Sequence, residues 1–172
     1  MPSQHPHPPQ DLTIRPVSTV DLAAVAEIYN HYVLKSVCTF DTQPEGSDYW
    51  NHWLAEHTPP FPAIVAVRNR NLVGWGCLSK WNNRCAYRLT AENSVYVKPD
   101  CHRQGIGHAL LAELIDRARH DGHKNIIARI ADHQAASEAL HQSFGFIPIG
   151  CLEGIGRKFD RWIDVTLWQL KL

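Results

Sequence analysis

Two glycines separated by one residue precede an amphipathic segment, and this pattern can bind a phosphate group. Gly105 and Gly107 follow a polar run that contains Arg103 and Gln104, and His108 comes next. A helix N-terminus presents unpaired N–H groups and a partial positive charge, and glycine lets the backbone approach an anion closely. G-x-G alone is a weak signal, because glycines precede helices in many turns. The spacing matches neither a nucleoside triphosphatase loop nor a dinucleotide fingerprint.

A carboxylate stands shortly before this loop, at Glu92. Residues 90–97 read as a strand, so Arg88, Thr90 and Glu92 share one face if the pairing is regular. Glu92 could then remove a proton from an amine, while Arg88, with its backbone roughly 13 Å away, binds an anionic group on the same molecule. The alternative is an Arg88–Glu92 salt bridge on a solvated face. The residues by themselves favour that alternative.

Hydrophobic periodicity places these residues on the elements of a mixed sheet. Apolar runs and alternation predict strands, and apolar residues at three- and four-residue spacing predict helices. The predicted strands are 12–17, 64–68, 72–78, 90–97, 125–130, 146–152 and 162–170, and the predicted helices follow Ser18, begin at Ser47 and cover 105–121 and 135–144. Ser18 and Asp21 have the layout of a capping box. Hairpins followed by a strand–helix–strand unit predict an α/β (α+β) fold, with a mixed, mostly antiparallel sheet flanked by helices.

Length and charge exclude several classes of protein. The chain has 172 residues, enough for one domain, and Lys+Arg and Asp+Glu each total 17. No basic excess therefore favours nucleic acid or an anionic membrane as a partner. No apolar run is long enough for a membrane helix, and the N-terminus lacks a signal-peptide layout, so we expect a cytoplasmic protein. The proline-rich residues 1–10 predict a disordered tail, and residues 11–172 predict one domain.

Cysteine and histidine usage predicts no metal. Five scattered cysteines, odd in number and without a C-x-x-C pair, indicate reduced thiols. Eleven histidines form no H-E-x-x-H motif. The nearest group, His120 and His123 with Asp116, is typical of exposed polar residues at the end of a helix.

The glycine loop resembles the acetyl-CoA loop of GNAT acetyltransferases, in which Gln or Arg is followed by x-x-G-x-Gly or Ala after the fourth strand. Here His102 stands at the leading position. Gln134 stands where many members have Asn, and His141 where many have Tyr, although phosphinothricin acetyltransferases commonly have His there. Segments that resemble phosphinothricin acetyltransferases follow in matching order across roughly residues 12–172, at 28–32, 39–40, 84–87, 90–97, 137–146, 156–159 and 161–165.

This resemblance implies a GNAT fold that binds acetyl-CoA after the fourth strand and transfers its acetyl group directly to an amine. It implies Glu92 as general base and His141 as the acid that protonates the departing thiolate. The implied acetyl-CoA-binding residues are Val95, Tyr96, Val97, Arg103, Gln104, Gly105, Gly107, His108, Gln134 and Ser137. Acceptor binding is expected from Phe40, Tyr87, Arg88 and Thr90.

The implied acceptor is a small amino-acid-like amine such as phosphinothricin, methionine sulfoximine or methionine sulfone, and the family implies a homodimer. Acetylation of a protein N-terminus, a polyamine or another amine stays open, as does a non-catalytic acyl-CoA-binding module. Glu92 argues against the module. Several residues also have ordinary structural interpretations: His141 as a packed or exposed side chain, Ser137 as a helix-surface hydroxyl, and Phe40 as a buried aromatic.

Overall fold

A seven-stranded sheet with four helices forms the framework of residues 11–172, the part of the chain that the computed structural model describes. The strands are β1 Leu12–Pro16, β2 Ala63–Arg68, β3 Asn71–Lys80, β4 Thr90–Val97, β5 Asn125–Ala131, β6 Ile147–Lys158 and β7 Arg161–Lys171. The helices are α1 Leu22–Lys35, α2 Ser47–Glu56, α3 Ile106–His120 and α4 Ala135–Ser143. The tail predicted for residues 1–10 lies outside the described residues.

The strands pair in the order β1-β2-β3-β4-β5-β7-β6. Only the β4–β5 pair among the described strands is parallel, and α3 supplies the crossover that parallel neighbours need. This parallel pairing is short, from Thr90 opposite Asn125 to Glu92 opposite Ile127. Beyond that point the described pairing joins β4 to β3 alone, so the sheet opens between β4 and β5. The predicted mixed, mostly antiparallel sheet is confirmed.

Helices cover both faces of the sheet. α3 buries Leu110 and Leu114 against one face, where Ala91 and Val95 of β4 also pack. α1 and α2 cover the other face, with Trp50 packed there. Because side chains alternate along a strand, Glu92 lies on the α1–α2 face.

The start of α1 follows the predicted capping box. Asp21 Oδ2 accepts the Ser18 N–H at 2.8 Å, and Arg15 Nη1 donates to the same oxygen at 2.7 Å. Hydrogen bonding to the Arg15 guanidinium lowers the pKa of Asp21 to about 2. The box closes a short 3-10 turn at Thr19–Asp21 that leads into α1.

β6 extends well past the predicted 146–152, and its pairing with β7 shifts register twice. The shifts lie between Pro148 and Gly150 and between Leu152 and Gly156, and such bulges break the period-two pattern. The hairpin carries an exposed apolar surface, formed by Ile147, Ile149, Leu152, Ile155, Phe159 and Trp162. Within residues 11–172, no helix is both long and apolar enough to cross a membrane.

Candidate active site

Glu92 lies at the last residue pair that joins β4 to β5. Its side chain is only 16% exposed, and Arg129 of β5 donates from Nε to Glu92 Oε1 at 2.6 Å. Burial raises the pKa of Glu92 above its ordinary value, and the Arg129 charge opposes that rise without cancelling it. A carboxyl group with a raised pKa is suited to accept a proton near neutral pH.

Arg88 lies outside β4, so the expected sharing of one strand face by Arg88, Thr90 and Glu92 is wrong. β4 begins at Thr90, and Arg88 ends a short 3-10 turn with helical backbone angles, φ −57° and ψ −20°. Alternation therefore relates Thr90 to Glu92 but does not extend to Arg88, which is exposed next to Tyr87. Arg129 fills the ion-pair position beside Glu92 that the alternative prediction gave to Arg88.

The N-terminus of α3 has the form that the glycine pattern predicts. Gly105 precedes the helix with φ +78°, and Arg103 also has a positive φ of 57°. No side chain among the described residues caps this end. First-turn N–H groups, such as that of Gly107, therefore point out of the helix, where a pyrophosphate would meet them and the positive end of the dipole.

The side chains of Gln104 and His102 hold this loop in place. Gln104 Oε1 accepts from Arg68 Nη1 at 2.6 Å, and Gln104 Nε2 donates to the Asp100 carbonyl at 3.3 Å. His102 Nε2 lies 2.7 Å from the Tyr32 hydroxyl of α1. The loop is thus anchored to β2 and α1, and its main chain is what the geometry offers to a ligand. Sequence reasoning missed Arg68 and Tyr32, because both are distant in sequence from the loop.

His141 is buried on α4, on the sheet face opposite Glu92. Its Nδ1 donates to the Ser137 carbonyl at 2.8 Å, so Nε2, 3.0 Å from Asn93 Nδ2, is the acceptor in a neutral ring. Burial lowers the pKa of His141. Protonation at Nε2 would require the Asn93 amide to turn its oxygen toward the ring. That oxygen is buried without a hydrogen-bond partner in the described structure.

The opening between β4 and β5 begins directly after Glu92. Asn93, with its unpaired amide oxygen, is the first β4 residue beyond the last pair with β5. The side chains of the next residues pack into the two cores, Val95 and Val97 on the α3 face and Tyr96 on the α1–α2 face. Main-chain groups along this stretch of β4 are therefore what a ligand in the opening would meet.

Two of the remaining residues predicted for cofactor binding, Gly107 and His108, lie next to residues of α4 or its end. A Cβ added at Gly107 would lie 3.5 Å from Leu140 of α4. The His108 ring packs on Phe144, with ring centroids 4.4 Å apart. Gln134 immediately precedes α4, and Ser137 Oγ lies 3.5 Å from His141 Nδ1. Gly107 and His108 are thus brought next to Leu140 and Phe144, which are distant from them in the sequence.

A cavity of about 280 Å³ lies on the same sheet face as Glu92. Ser79 lines it and is the β3 residue directly opposite Glu92, and Ser94, two residues along from Glu92, lines it as well. His57 Nε2 lies 3.0 Å from Ser79 Oγ. The rest of the wall is largely aromatic, from Tyr29, Tyr49, Trp50, Trp53, Trp75 and Tyr96. Sequence reasoning missed this cavity, since its walls come from four separate segments, α1, α2 with its end, β3 and β4.

Phe40 lies in the connection between α1 and α2 and contacts the C-terminal hairpin. A Cβ added at Gly156 would lie 2.1 Å from the Phe40 ring, so glycine is what lets the ring rest on the β6 backbone. The buried Lys158 ammonium donates to the carbonyl of Thr39 at 2.8 Å. These two contacts fix the α1–α2 connection against β6.

The sequence of this chain matches a protein family and several characterised relatives. The model of the Acetyltransferase (GNAT) family matches residues 24–146. The chain is 38% identical to the L-amino acid N-acyltransferase MnaT of Escherichia coli (strain K12), over 94% of each chain. It is 36% identical to the L-methionine sulfoximine/L-methionine sulfone acetyltransferase of Salmonella typhimurium, over 94% of this chain and 95% of that protein.

Solved structures of acetyltransferases are similar to this chain as well. A phosphinothricin acetyltransferase of Sinorhizobium meliloti in complex with acetyl-CoA is similar with a TM-score of 0.90 and 33% identity, over 95% of this chain and 89% of that one. A ribosomal-protein-alanine N-acetyltransferase of Brucella melitensis reaches a TM-score of 0.91 at 35% identity, over 93% and 99% of the two chains. With the loop, the opened sheet and the matches agreeing, the chain belongs to the GNAT acetyltransferase family and is an acetyl-CoA-dependent N-acetyltransferase.

Proposed function

We propose that this protein transfers the acetyl group of acetyl-CoA to the amino group of a small amino-acid-like acceptor, of the phosphinothricin, methionine sulfoximine or methionine sulfone type. The observation that carries the proposal is the position of Glu92, a largely buried carboxyl with a raised pKa at the point where β4 and β5 separate. The names of the relatives support the acceptor class.

Glu92 acts as general base in this proposal. Bound acetyl-CoA supplies an activated acetyl thioester in the opening between β4 and β5. The acceptor enters from the α1–α2 face, and Glu92 takes the proton that its ammonium group must lose before the nitrogen can attack. Arg129 keeps enough of Glu92 ionised to accept that proton, because its charge opposes the effect of burial.

His141 serves as the proton donor to the departing thiolate. In the neutral ring the Nε2 atom accepts from Asn93, so donation requires prior protonation at Nε2 and rotation of the Asn93 amide. Burial disfavours the protonated ring. An imidazolium formed under that constraint gives up its proton readily, which suits a group that must protonate a thiolate.

The cavity beside Ser79 and Ser94 supports a small acceptor. A volume of about 280 Å³ accommodates a molecule of amino-acid size, and its walls adjoin Glu92. Phe40 and Thr90 flank the same face of the sheet in this proposal. Arg88, exposed on the turn with Tyr87, receives the anionic end of the acceptor.

Acetylation of a protein N-terminus is the second candidate, favoured by the Brucella melitensis structure, whose name carries that activity. The two candidates differ in how the acceptor reaches Glu92. A free amino acid can be enclosed in the cavity, whereas a polypeptide needs an open path for the chain that follows its first residue.

Assembly and location complete the proposal. Residues 11–172 form one catalytic domain that assembles as a homodimer through the apolar surface of the β6–β7 hairpin, where Trp162 is 68% exposed. We place the protein in the cytoplasm, in keeping with its five unpaired cysteines. Sedimentation of a Trp162→Ser/Ile155→Ser variant should show monomers where the parent protein shows dimers. A monomeric parent protein would contradict the dimer.

Release of free thiol from acetyl-CoA with a panel of amines tests the function. The panel contains methionine sulfone, methionine sulfoximine, phosphinothricin, spermidine and a peptide with an N-terminal alanine. We expect turnover with the amino-acid analogues, and a raised KM for them but not for acetyl-CoA in Arg88→Ala. Efficient turnover of only the peptide or only spermidine would overturn the acceptor class, and no turnover with any amine would overturn the catalytic proposal.

Replacing Glu92 by Gln removes the proposed base while keeping the shape of the side chain. Turnover should fall by about 100-fold or more, the usual contribution of a general base. Binding of acetyl-CoA, measured by calorimetry, should stay close to that of the parent protein. Parent-like turnover near neutral pH would assign proton removal to another group.

A further inference from the structure

A cluster of side chains with metal-binding chemistry, separate from the candidate active site, lies where the connection after β5 meets the C-terminal hairpin. His133, Cys151 and Asp164 present one nitrogen, one sulfur and one oxygen atom, all within 4.8 Å of one another. Cys151 lies on β6 directly opposite Thr166 of β7, and the Thr166 hydroxyl lies 3.5 Å from Glu138 of α4. The cluster is therefore on the α4 face of the sheet, away from Glu92.

The protein holds two of these groups in place from outside the cluster. Asp164 Oδ1 accepts the Gly154 N–H at 2.7 Å, which fixes the carboxylate and leaves its second oxygen available. His133 follows Asp132, whose N–H donates to the Asp164 carbonyl at 2.9 Å and whose carboxylate accepts from both Nη atoms of Arg161. Supports of this kind orient metal ligands and are part of a metal site.

The ligand types select the class of metal. Imidazole and thiolate favour zinc and its neighbours among the transition metals, whereas magnesium and calcium prefer oxygen ligands. Glu138 Oε1 lies 3.5 Å from His133 Nδ1 but is not among the three residues whose ligand atoms converge, so a fourth ligand would come from water. Tetrahedral zinc sites use such sets of nitrogen, sulfur and oxygen.

We propose that His133, Cys151 and Asp164 bind one zinc ion. Small side-chain rotations bring the three atoms to bonding distance, and the Cys151 thiol releases its proton to solvent as the sulfur–zinc bond forms. The ion ties the segment that leads into α4 to β6 and β7, and so fixes the helix that carries His141. This role is structural and separate from acetyl transfer, which needs no metal.

Calorimetric titration of the full-length, tag-free, chelator-treated protein with zinc is the first test. We expect one equivalent to bind, and Cys151→Ser to weaken binding by at least tenfold, since changes even beyond the ligands cost that much. Cys85→Ser is the matched control, because Cys85 is also an exposed thiol but lies on the turn before β4, and it should bind as the parent does. Equal binding by parent and Cys151→Ser would overturn the site.

Cobalt provides a spectroscopic readout that does not depend on activity. With cobalt(II) in place of zinc, a bound thiolate gives a charge-transfer absorption in the near ultraviolet. The parent and Cys85→Ser should show this band, whereas Cys151→Ser and His133→Ala should lose most of it. Zinc should also raise the melting temperature of the parent protein more than that of Cys151→Ser. A missing band in the parent protein, or loose binding of several equivalents to surface histidines, would overturn the proposal.

Discussion

Arg129 has two opposed effects at the proposed site. It lowers the pKa of Glu92, which keeps the carboxylate ionised, and it occupies one of the two oxygens that could accept a proton. Being 57% exposed, its guanidinium can swing toward solvent at modest cost. Glu92 therefore combines a buried position with a mobile cationic neighbour, and the neighbour sets the pH at which the base begins to work.

Replacing Arg129 by Gln tests this influence. Without the positive charge, burial alone acts on Glu92, and the pKa of the carboxyl rises further. Because only ionised Glu92 accepts a proton, the acidic limb of the kcat/KM profile should move to higher pH, with activity retained on the alkaline side. Arg129→Lys keeps the charge and should leave the limb close to that of the parent enzyme. An unmoved limb in Arg129→Gln would show that another group controls it.

At the residue scale, the sequence indicates candidate site residues more readily than it indicates the side chains that those residues contact. Glu92 and Gly105 follow from strand and helix patterns next to each other in the chain. The Arg129 partner of Glu92 depends on the register of β4 against β5, which local periodicity does not contain. The misplacement of Arg88 has a local cause, because a 3-10 turn precedes β4 and the alternation begins only at Thr90.

At the scale of elements, the α3 terminus combines an unusual backbone with an unsatisfied end. Gly105 has φ +78°, a conformation that costs most residues energy but that Asn and Asp tolerate better than other side chains. Two different substitutions at Gly105 can therefore separate the effect of backbone strain on acetyl-CoA binding from the effect of an added charge. A single variant could not do so.

Gly105→Asn and Gly105→Asp form a matched pair for this purpose. Both side chains have nearly the same size and backbone preferences, and only Asp adds a negative charge beside the pyrophosphate. We expect Asp to weaken acetyl-CoA binding relative to Asn by about tenfold or more, which corresponds to about 1.4 kcal/mol. Calorimetry of both folded variants measures this ratio. Equal affinities would mean that the pyrophosphate binds elsewhere.

Across the whole molecule, the half-buried His57 and the buried His141 link stability to pH. Burial lowers the pKa of both His57 and His141 in the folded protein. Below a pH of about 6.5 the unfolded chain binds protons at these positions that the folded protein does not, so the free energy of unfolding must fall as the pH falls. Asp21, with its pKa lowered to about 2, adds a second loss of stability at more acidic pH, as its pairing with Arg15 is neutralised.

Urea unfolding at a series of pH values measures the histidine effect. The parent protein should lose stability between about pH 6.5 and 5, and a His57→Gln/His141→Gln variant should show a flatter dependence over the same range. The parent protein and the variant should both still lose stability at more acidic pH, where Asp21 becomes protonated. The same slope in both proteins would show that these histidines do not titrate as their burial requires.

The architecture as a whole was largely predictable, because the apolar runs of β2 and β3 and the apolar stripe of α3 are strong local signals. The hairpin of β6 and β7 was less so. Its two register shifts and exposed apolar side chains give a pattern that matches neither a half-buried strand nor a loop. The grouping of His133 with Cys151 and Asp164 likewise depends on three segments that meet only in the folded sheet.

The three residue pairs between β4 and β5 join two larger blocks of the sheet. On one side β1 to β4 form an antiparallel meander, and on the other β5, β7 and β6 form a unit built from the later part of the chain. Such a narrow join is a natural border between cooperative folding units. Amides near it should exchange with deuterium sooner than those inside either block when the protein is alone, and acetyl-CoA seated in the opening should slow that exchange. Bound acetyl-CoA would then couple the unfolding of the two blocks, so the ligand that supplies the acetyl group would also make the fold more cooperative.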